Sequence, residues 1–368
     1  MLDRFALAGV IVLALWVRLY AIEQPGIWYD EAYSLLLARE APARIWQLTA
    51  LDVHPPLYYV LLHYWLMIWG EGALPARALS VLADIGTLLL CIKLMSLIAT
   101  RRATWMAALL LALLPISVRY SQEVRMYTLL GFWLMGATGA LVCWSQAPER
   151  KRFVVAYVLL MSAAFYTHYF AGLCVLVHWL FWWESSDEYR TSISRYLWYS
   201  ANAVIVVLYL PWIPHLIAQV SGTNTWIEPV TAQVALGLVW QFVVMDGAIP
   251  LTSAWRLLPL ILLVIGAIAL IASNKVERRF GWLLIGYFFV PVISLFMLAQ
   301  FTPIFLPRYL VFASPAIAMI VASALDSAGE RFDSAMAVVL GLVLCAQSFG
   351  FRGLPANRWN EWHRHAQK

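Results

Sequence analysis

Five short polar clusters interrupt an otherwise apolar sequence, and each combines residue types that can perform chemistry. In the first, the carboxylates Asp30 and Glu31 follow two aromatic residues. A carboxylate can remove a proton from a hydroxyl group and so act as a general base. The other clusters add imidazole, guanidinium and phenol groups: Asp52-Val53-His54-Pro55-Pro56, Ser121-Gln122-Glu123-Val124-Arg125-Met126-Tyr127, Tyr166-Thr167-His168-Tyr169 and Pro307-Arg308-Tyr309.

Each cluster also has a purely structural explanation. Asp30 can be a helix N-cap with a charge that suits the helix dipole. His168 can be a hydrogen-bonded core histidine, and Arg125 can be an arginine whose charged head reaches the membrane surface. A site that united the clusters would instead hold an anionic lipid headgroup with arginine and histidine, beside a carboxylate base.

The composition indicates how such clusters are positioned. The chain has 368 residues, of which 63% are hydrophobic and 12% charged, with a mean hydropathy of +0.76. Soluble domains have about 45–50% apolar and about 25% charged residues. The composition therefore excludes a disordered chain, a nucleic-acid-binding domain and an ordinary soluble enzyme. We predict an all-α, polytopic transmembrane helix bundle, and its net charge of +5 needs no polyanionic partner because cytoplasmic loops are rich in Lys and Arg.

Three apolar runs are ambiguous as spans. Residues 57–69 are too few for a span of about 20 residues, residues 153–183 are too many for one span, and residues 230–249 contain polar side chains. All the basic loops fall on one side only if 57–69 and 230–249 do not cross and 153–183 is a hairpin. This predicts eleven spans, with the N-terminus inside and the C-terminus outside.

The predicted topology places the polar clusters on the outer side. Residues 1–350 form one predicted module, and residues 351–368 form a short external tail. The first outer loop, residues 23–74, is predicted to contain amphipathic surface helices at 31–39 and 57–69. Asp84 lies within the second span, where Arg77 and Lys93 are candidate partners.

Five motifs, in their order along the chain, resemble those of the GT-C superfamily of membrane glycosyltransferases. The nearest types are the dolichyl-phosphate-mannose protein mannosyltransferases and the lipid A aminoarabinose transferases. The motifs are Trp28-Tyr29-Asp30-Glu31-Ala32-Tyr33-Ser34, His54-Pro55-Pro56-Leu57, Tyr120-Ser121-Gln122-Glu123-Val124-Arg125-Met126-Tyr127, Thr167-His168-Tyr169-Phe170 and Arg308-Tyr309-Leu310. The resemblance covers residues 1 to about 325 and implies an enzyme of the bacterial inner membrane. It also implies an active site that faces the periplasm, a polyprenyl-phosphate-linked sugar donor and a lipid, glycan or protein acceptor.

The resemblance assigns roles to several residues. Asp30 corresponds to the catalytic base and Glu31 to its usual neighbour, so both are predicted to be catalytic. Arg125 corresponds to a required arginine, and His168 to a lysine that contacts the lipid phosphate in some relatives.

The residues themselves suggest the remaining roles. Arg308 is a further candidate for phosphate binding, and Glu123 is expected to orient Arg125. His54, Tyr127 and Tyr169 are expected to support the site.

Cofactor and mechanism leave some alternatives open. A divalent metal at Asp30, Glu31 and His54 is one alternative, although two carboxylates and one imidazole are not a specific metal signature. The sequence contains no phosphate-binding glycine loop, which argues against a nucleotide-linked donor. The rival hypothesis is a transporter or flippase of a lipid-linked anion, which would use the same cationic residues.

Overall fold

Helices account for the regular structure throughout the residues described by this computed structural model, which are 2–188, 193–220, 227, 229–245, 254–273 and 275–328. The first α-helices in chain order are α1 (Leu2–Leu19), α2 (Tyr29–Ala38), α3 (Pro42–Ala50), α4 (Leu57–Trp69), α5 (Ala73–Ile98), α6 (Arg101–Ala112), α7 (Pro115–Ser121), α8 (Tyr127–Gln146) and α9 (Lys151–Thr167). The others are α10 (Ala171–Glu188), α11 (Arg195–Tyr209), α12 (Ile213–Val220), α13 (Ala232–Leu236), α14 (Leu238–Val243), α15 (Leu258–Ala272), α16 (Arg278–Leu298) and α17 (Pro315–Ala328). Short 3-10 helices cover Leu210–Trp212, Ala254–Leu257 and Pro307–Ala313.

The described helices include several that are long and apolar enough to cross a membrane. There are five by length and composition: Ala73–Ile98, Tyr127–Gln146, Arg195–Val220, Ala254–Ala272 and Arg278–Leu298. Two bent pairs, α6 with α7 and Pro307–Ala313 with α17, raise the number to seven if each pair is one span. The predicted all-helical membrane fold is thus confirmed for the described residues. Eleven spans, their orientation and the surface position of α2 and α4 stay predictions.

The ambiguous runs resolve into distinct helices. Residues 57–69 form α4, a 13-residue helix that ends at Gly70, whose φ of 88° is in the left-handed region. Residues 153–183 divide between α9 and α10, which are separated at His168. In 230–249, the described part contains only the short helices α13 and α14. The last predicted span, 333–350, and the predicted tail, 351–368, lie outside the described residues.

The chain divides into two compact units that alternate along the sequence. One consists of residues 1–26, 91–122 and 224–368, and the other of residues 27–90 and 123–223. We call the second the cluster unit, because four of the five polar clusters lie wholly or mainly in it. The predicted single module, 1–350, stays a prediction.

Close helix packing and aromatic rings form the core of the cluster unit. Gly86 of α5 lies against Phe132 of α8, where an added Cβ would come within 2.6 Å of the ring. The Trp182 and Trp198 rings stack at 5.4 Å, and both Trp144 and Trp198 are fully buried. Such packing gives α8 to α11 a rigid arrangement from which the turn at His168 projects.

In the other unit, Arg18 has a structural role at a helix break. The chain bends by 53° between α6 and α7, where helix hydrogen bonds are interrupted. The fully buried Arg18 guanidinium donates to Ala112 O at 2.7 Å and to Leu111 O at 3.5 Å. These bonds satisfy carbonyls at the end of α6, so Arg18 stabilises the bend.

The predicted orientation can be tested by thiol labelling. In a variant whose four native cysteines are replaced by alanine, Gln24→Cys should react with a membrane-impermeant maleimide added to intact cells, because residues 23–74 are predicted outside. Arg101→Cys should react only after permeabilisation, because the basic pair 101–102 is predicted inside. Both native side chains are exposed, so access within the protein does not limit labelling. Labelling of Arg101→Cys in intact cells would overturn the orientation.

Candidate active site

The first turn of α2 presents the acidic pair. α2 begins at Tyr29, and Trp28 occupies the N-cap position in an extended conformation. Asp30 is therefore inside the first turn and is not the N-cap itself, although its negative charge still suits the helix N-terminus. Asp30 is half-buried, and its backbone carbonyl accepts a hydrogen bond from Ser34 Oγ at 2.9 Å. Asp30 thus keeps part of its surface exposed.

Glu31 has a very different environment. Arg77 donates from Nε to Oε1 at 2.9 Å and from Nη2 to Oε2 at 2.7 Å, and both side chains are buried. Val124 N–H donates to Oε1 at 2.9 Å, and Trp28 N–H donates to Oε2 at 3.5 Å. These donors occupy both oxygens of the carboxylate, and the predicted catalytic role of Glu31 stays a prediction. Geometry thus separates Glu31 from Asp30, although the sequence grouped both as catalytic.

Arg125 lies at the centre of the cluster unit's polar residues. It is buried, and its Nη2 donates to His54 Nε2 at 3.2 Å. Its Nη1 lies 3.4 Å from both Asp30 O and Ser34 Oγ. The guanidinium carbon is 5.7 Å from the centre of the Tyr127 ring, within the range of a cation–π interaction. One cation therefore contacts three of the predicted clusters.

Two buried imidazoles extend this cationic region. The His54 and His168 rings lie 5.2 Å apart, and His168 is 6.2 Å from the Tyr127 ring. Arginine can only donate, so His54 Nε2 accepts this hydrogen bond. Phe170 N–H donates to His168 Nδ1 at 3.2 Å. In both contacts the imidazole nitrogen is therefore the acceptor.

Glu123 supports the turn through its backbone. Its carbonyl accepts hydrogen bonds from Ser80 Oγ at 2.6 Å and from Arg125 N–H at 2.9 Å. The Glu123 side chain is buried. Its predicted orientation of Arg125 through the carboxylate stays a prediction.

Asp52 and Tyr33 join the site although the sequence analysis gave them no role. Asp52 is half-buried after the end of α3, and the Tyr33 hydroxyl hydrogen-bonds to its carboxylate. Burial raises the pKa of the Asp52 carboxyl, and the nearby Asp30 charge adds to this effect. Burial and Asp52 likewise raise the pKa of Tyr33. The sequence signal that could have indicated a role for Asp52 was its position two residues before His54.

Tyr169 acts at the edge of the site through Gln219. The Tyr169 hydroxyl donates to the Gln219 amide oxygen and accepts a hydrogen bond from Trp212 Nε1 at 3.0 Å. Gln219 Nε2 then donates to the carbonyls of Thr49 and Ala50, at 2.9 and 3.1 Å. This network connects the α9–α10 turn to the end of α3, just before Asp52. Its Gln219 component was missed because an isolated glutamine gives no sequence signal.

Arg308 belongs to the other compact unit. It is half-buried in the 3-10 helix Pro307–Ala313, with its guanidinium 5.9 Å from the centre of the Tyr309 ring. Its predicted contact with a phosphate stays a prediction. Among the described residues, no group of three or more His, Cys, Asp or Glu side chains is arranged to hold a metal ion.

Fold and site together define an all-helical membrane protein with a half-exposed carboxylate beside buried cation and imidazole donors. No protein-family model matches the sequence, and a comparison with curated protein sequences gives no match. Solved structures do match. ArnT from Cupriavidus metallidurans in the apo state superposes over 92% of this chain with a TM-score of 0.67 and 15% identity.

Two ligand-bound structures are also similar. ArnT bound to undecaprenyl phosphate matches 90% of the chain, with a TM-score of 0.62 and 15% identity. AglB, an oligosaccharyltransferase from Archaeoglobus fulgidus in complex with an inhibitory peptide and a dolichol-phosphate, matches 97%, with a TM-score of 0.62 and 12% identity. The chain spans 63% of the length of apo ArnT and 59% of that of AglB. The resemblance to GT-C membrane glycosyltransferases is thus confirmed at the level of the fold.

Proposed function

We propose that this protein is a membrane glycosyltransferase that moves a sugar from a polyprenyl-phosphate-linked donor to an acceptor hydroxyl, with inversion at the anomeric carbon. One observation carries the proposal: Arg125 and two imidazole rings are buried beside the half-buried Asp30. The fold adds support, because it is shared with ArnT, which has been solved bound to undecaprenyl phosphate.

The buried donors suit a lipid phosphate. Arg125 is 4% exposed, and burial strengthens its attraction to an anion because little water screens it. A guanidinium also makes short, charge-assisted hydrogen bonds to phosphate oxygens. His54 and His168 add imidazole groups, which can donate hydrogen bonds to a phosphate. We assign the donor phosphate to these three residues, with Arg308 as a fourth proposed contact.

Asp30 supplies the proton acceptor. In the proposed step, the Asp30 carboxylate takes the proton of the acceptor hydroxyl while its oxygen bonds to the anomeric carbon. The bond from that carbon to the phosphate oxygen breaks, and its electron pair leaves with polyprenyl phosphate. Arg125 and the imidazole donors stabilise the charge that develops on the departing oxygen. Water then removes the proton from Asp30.

The membrane location follows from the charge pattern. The polar clusters fall outside and the basic loops inside when the positive-inside rule is applied. We therefore propose a bacterial inner-membrane enzyme with its site toward the periplasm, where a lipid-linked sugar is a suitable donor. The acceptor is proposed to be a hydroxyl of a lipid, a glycan or a protein.

A transfer assay tests the function directly. Purified protein in nanodiscs is incubated with polyprenyl-phosphate sugars that differ in the sugar, together with lipid, glycan and peptide acceptors. We expect release of polyprenyl phosphate and a glycoside of inverted anomeric configuration with at least one pair. Glu40→Gln, an exposed position in the cluster unit, should behave like the wild type.

Two results would contradict the proposal. A product of retained configuration would exclude single displacement. Movement of the intact lipid-linked sugar across proteoliposomes, without any transfer product, would instead identify a transporter.

A further inference from the structure

We infer that Glu31 and Arg77 form a positioning pair that holds the proton acceptor and the phosphate-binding arginine at a fixed separation. The inference rests on the proposed function, because it assigns roles relative to that reaction. In the proposed reaction neither residue contacts the substrate. Arg77 has no role in the motifs or in the proposed chemistry.

The pair connects three separate segments of the cluster unit. Glu31 lies in the first turn of α2, Arg77 in α5, and Val124 in the turn before α8. Arg77 binds both carboxylate oxygens of Glu31, at 2.9 and 2.7 Å. The Glu31 Oε1 atom also accepts from Val124 N–H at 2.9 Å. One carboxylate thereby ties a helix start to a turn 93 residues further along the chain.

The residues next to this connection in the chain are the two proposed functional groups, so the connection positions the site. Asp30 precedes Glu31, and Arg125 follows Val124, so the hydrogen bond joins residues adjacent to both proposed functional groups. The contacts of Arg125 Nη1 with Asp30 O and Ser34 Oγ are long, at 3.4 Å each. The shorter bonds of Glu31 and Arg77 therefore define the separation between Asp30 and Arg125 more strictly than the contacts of Arg125 itself.

A stabilising role alone does not account for a buried ion pair. Removing two charges from water is costly, and well-packed apolar residues of similar size often give equal or greater stability. Apolar side chains, however, cannot accept the Val124 N–H. An apolar pair would therefore lack the hydrogen-bond acceptor that Glu31 provides and that Arg77 holds in orientation.

Two double variants separate position from stability. Glu31→Met with Arg77→Met removes both charges and the acceptor. Glu31→Gln with Arg77→Met also removes the charges but keeps an amide oxygen for Val124 N–H. The exposed Arg39–Glu71 pair, with a 2.6 Å contact, is the matched control through Arg39→Met with Glu71→Met.

We expect the variant without an acceptor to lose about 10²-fold in turnover, since a misplacement near 1 Å can cost that much. In the same variant, amide hydrogen exchange of residues 123–126 should become faster. The thermal stability of the whole protein should not change. The variant with the amide should retain slower exchange and recover most of the turnover. The control pair should match the wild type in both measurements.

The outcomes distinguish this inference from the proposed function. Exchange of 123–126 that is unchanged without the acceptor would overturn the pair as a positioning element, as would full turnover despite faster exchange. The inference would also be overturned if both double variants lost the same amount of turnover while residues 123–126 exchanged at the same rate in both. A wild type that transfers no sugar would instead refute the proposed function, and the exchange measurement would still decide whether the pair holds the turn.

Discussion

Asp30→Asn is expected to lower the rate of sugar transfer about 10²–10⁴-fold, the range that general base catalysis contributes. An acceptor hydroxyl is a poor nucleophile until its proton is removed. The amide of asparagine keeps the size of the side chain but cannot accept that proton. Donor binding should persist, because asparagine has the size of the native side chain and the contact of Arg125 with the backbone oxygen of residue 30 is kept.

Folding should be little affected by this change. Trp28, and not Asp30, occupies the N-cap position of α2, and Ser34 bonds the Asp30 backbone. Loss of the charge near the helix start should cost about 0.3–1 kcal/mol. Turnover and thermal stability measured together therefore separate chemistry from folding, with Glu40→Gln as the control. Near-normal turnover in Asp30→Asn would remove Asp30 from the mechanism.

Arg125→Ala is expected to weaken binding of polyprenyl phosphate by about 10–150-fold. Hydrogen bonds to charged groups contribute about 1.5–3 kcal/mol each, and about 1.4 kcal/mol is a factor of ten. Arg125→Lys should recover only part of the affinity, because one ammonium cannot reproduce the contacts that the planar guanidinium makes with Asp30, Ser34 and His54.

His168→Ala should weaken the same binding less, since an imidazole offers fewer donors to a phosphate than a guanidinium does. The measurement is titration of nanodisc-embedded protein with polyprenyl phosphate, in parallel with the donor concentration dependence of transfer. Unchanged values for both Arg125→Ala and His168→Ala would move the phosphate site elsewhere, with Arg308 the next candidate.

Much of the candidate site could be predicted because its residues stand out against an apolar sequence. Polar residues are costly in lipid, so those at the ends of apolar runs point to one aqueous face once the runs are oriented. The structure brings His54, Arg125 and His168 together, as a common site requires. The positions of the polar motifs thus predicted that the segments carrying these three residues lie close together.

Partners inside the bundle could not be predicted in the same way. Arg77 was considered only as a candidate partner for Asp84, seven positions along α5, and nothing in the sequence indicated the ion pair that it forms with Glu31. Which buried charge an arginine meets depends on the rotation of its helix against neighbours distant in sequence. Periodicity within one apolar helix does not define that rotation. Glu31 was grouped with Asp30 for the same reason, because adjacency in sequence does not show that the two carboxylates face different surroundings.

The contacts of the two imidazoles have a consequence for the conditions under which the cluster keeps its form. His54 Nε2 and His168 Nδ1 both accept hydrogen bonds, and a nitrogen that gains a proton can no longer accept one. Strong acid would therefore remove both contacts, whereas Arg125 would keep its charge.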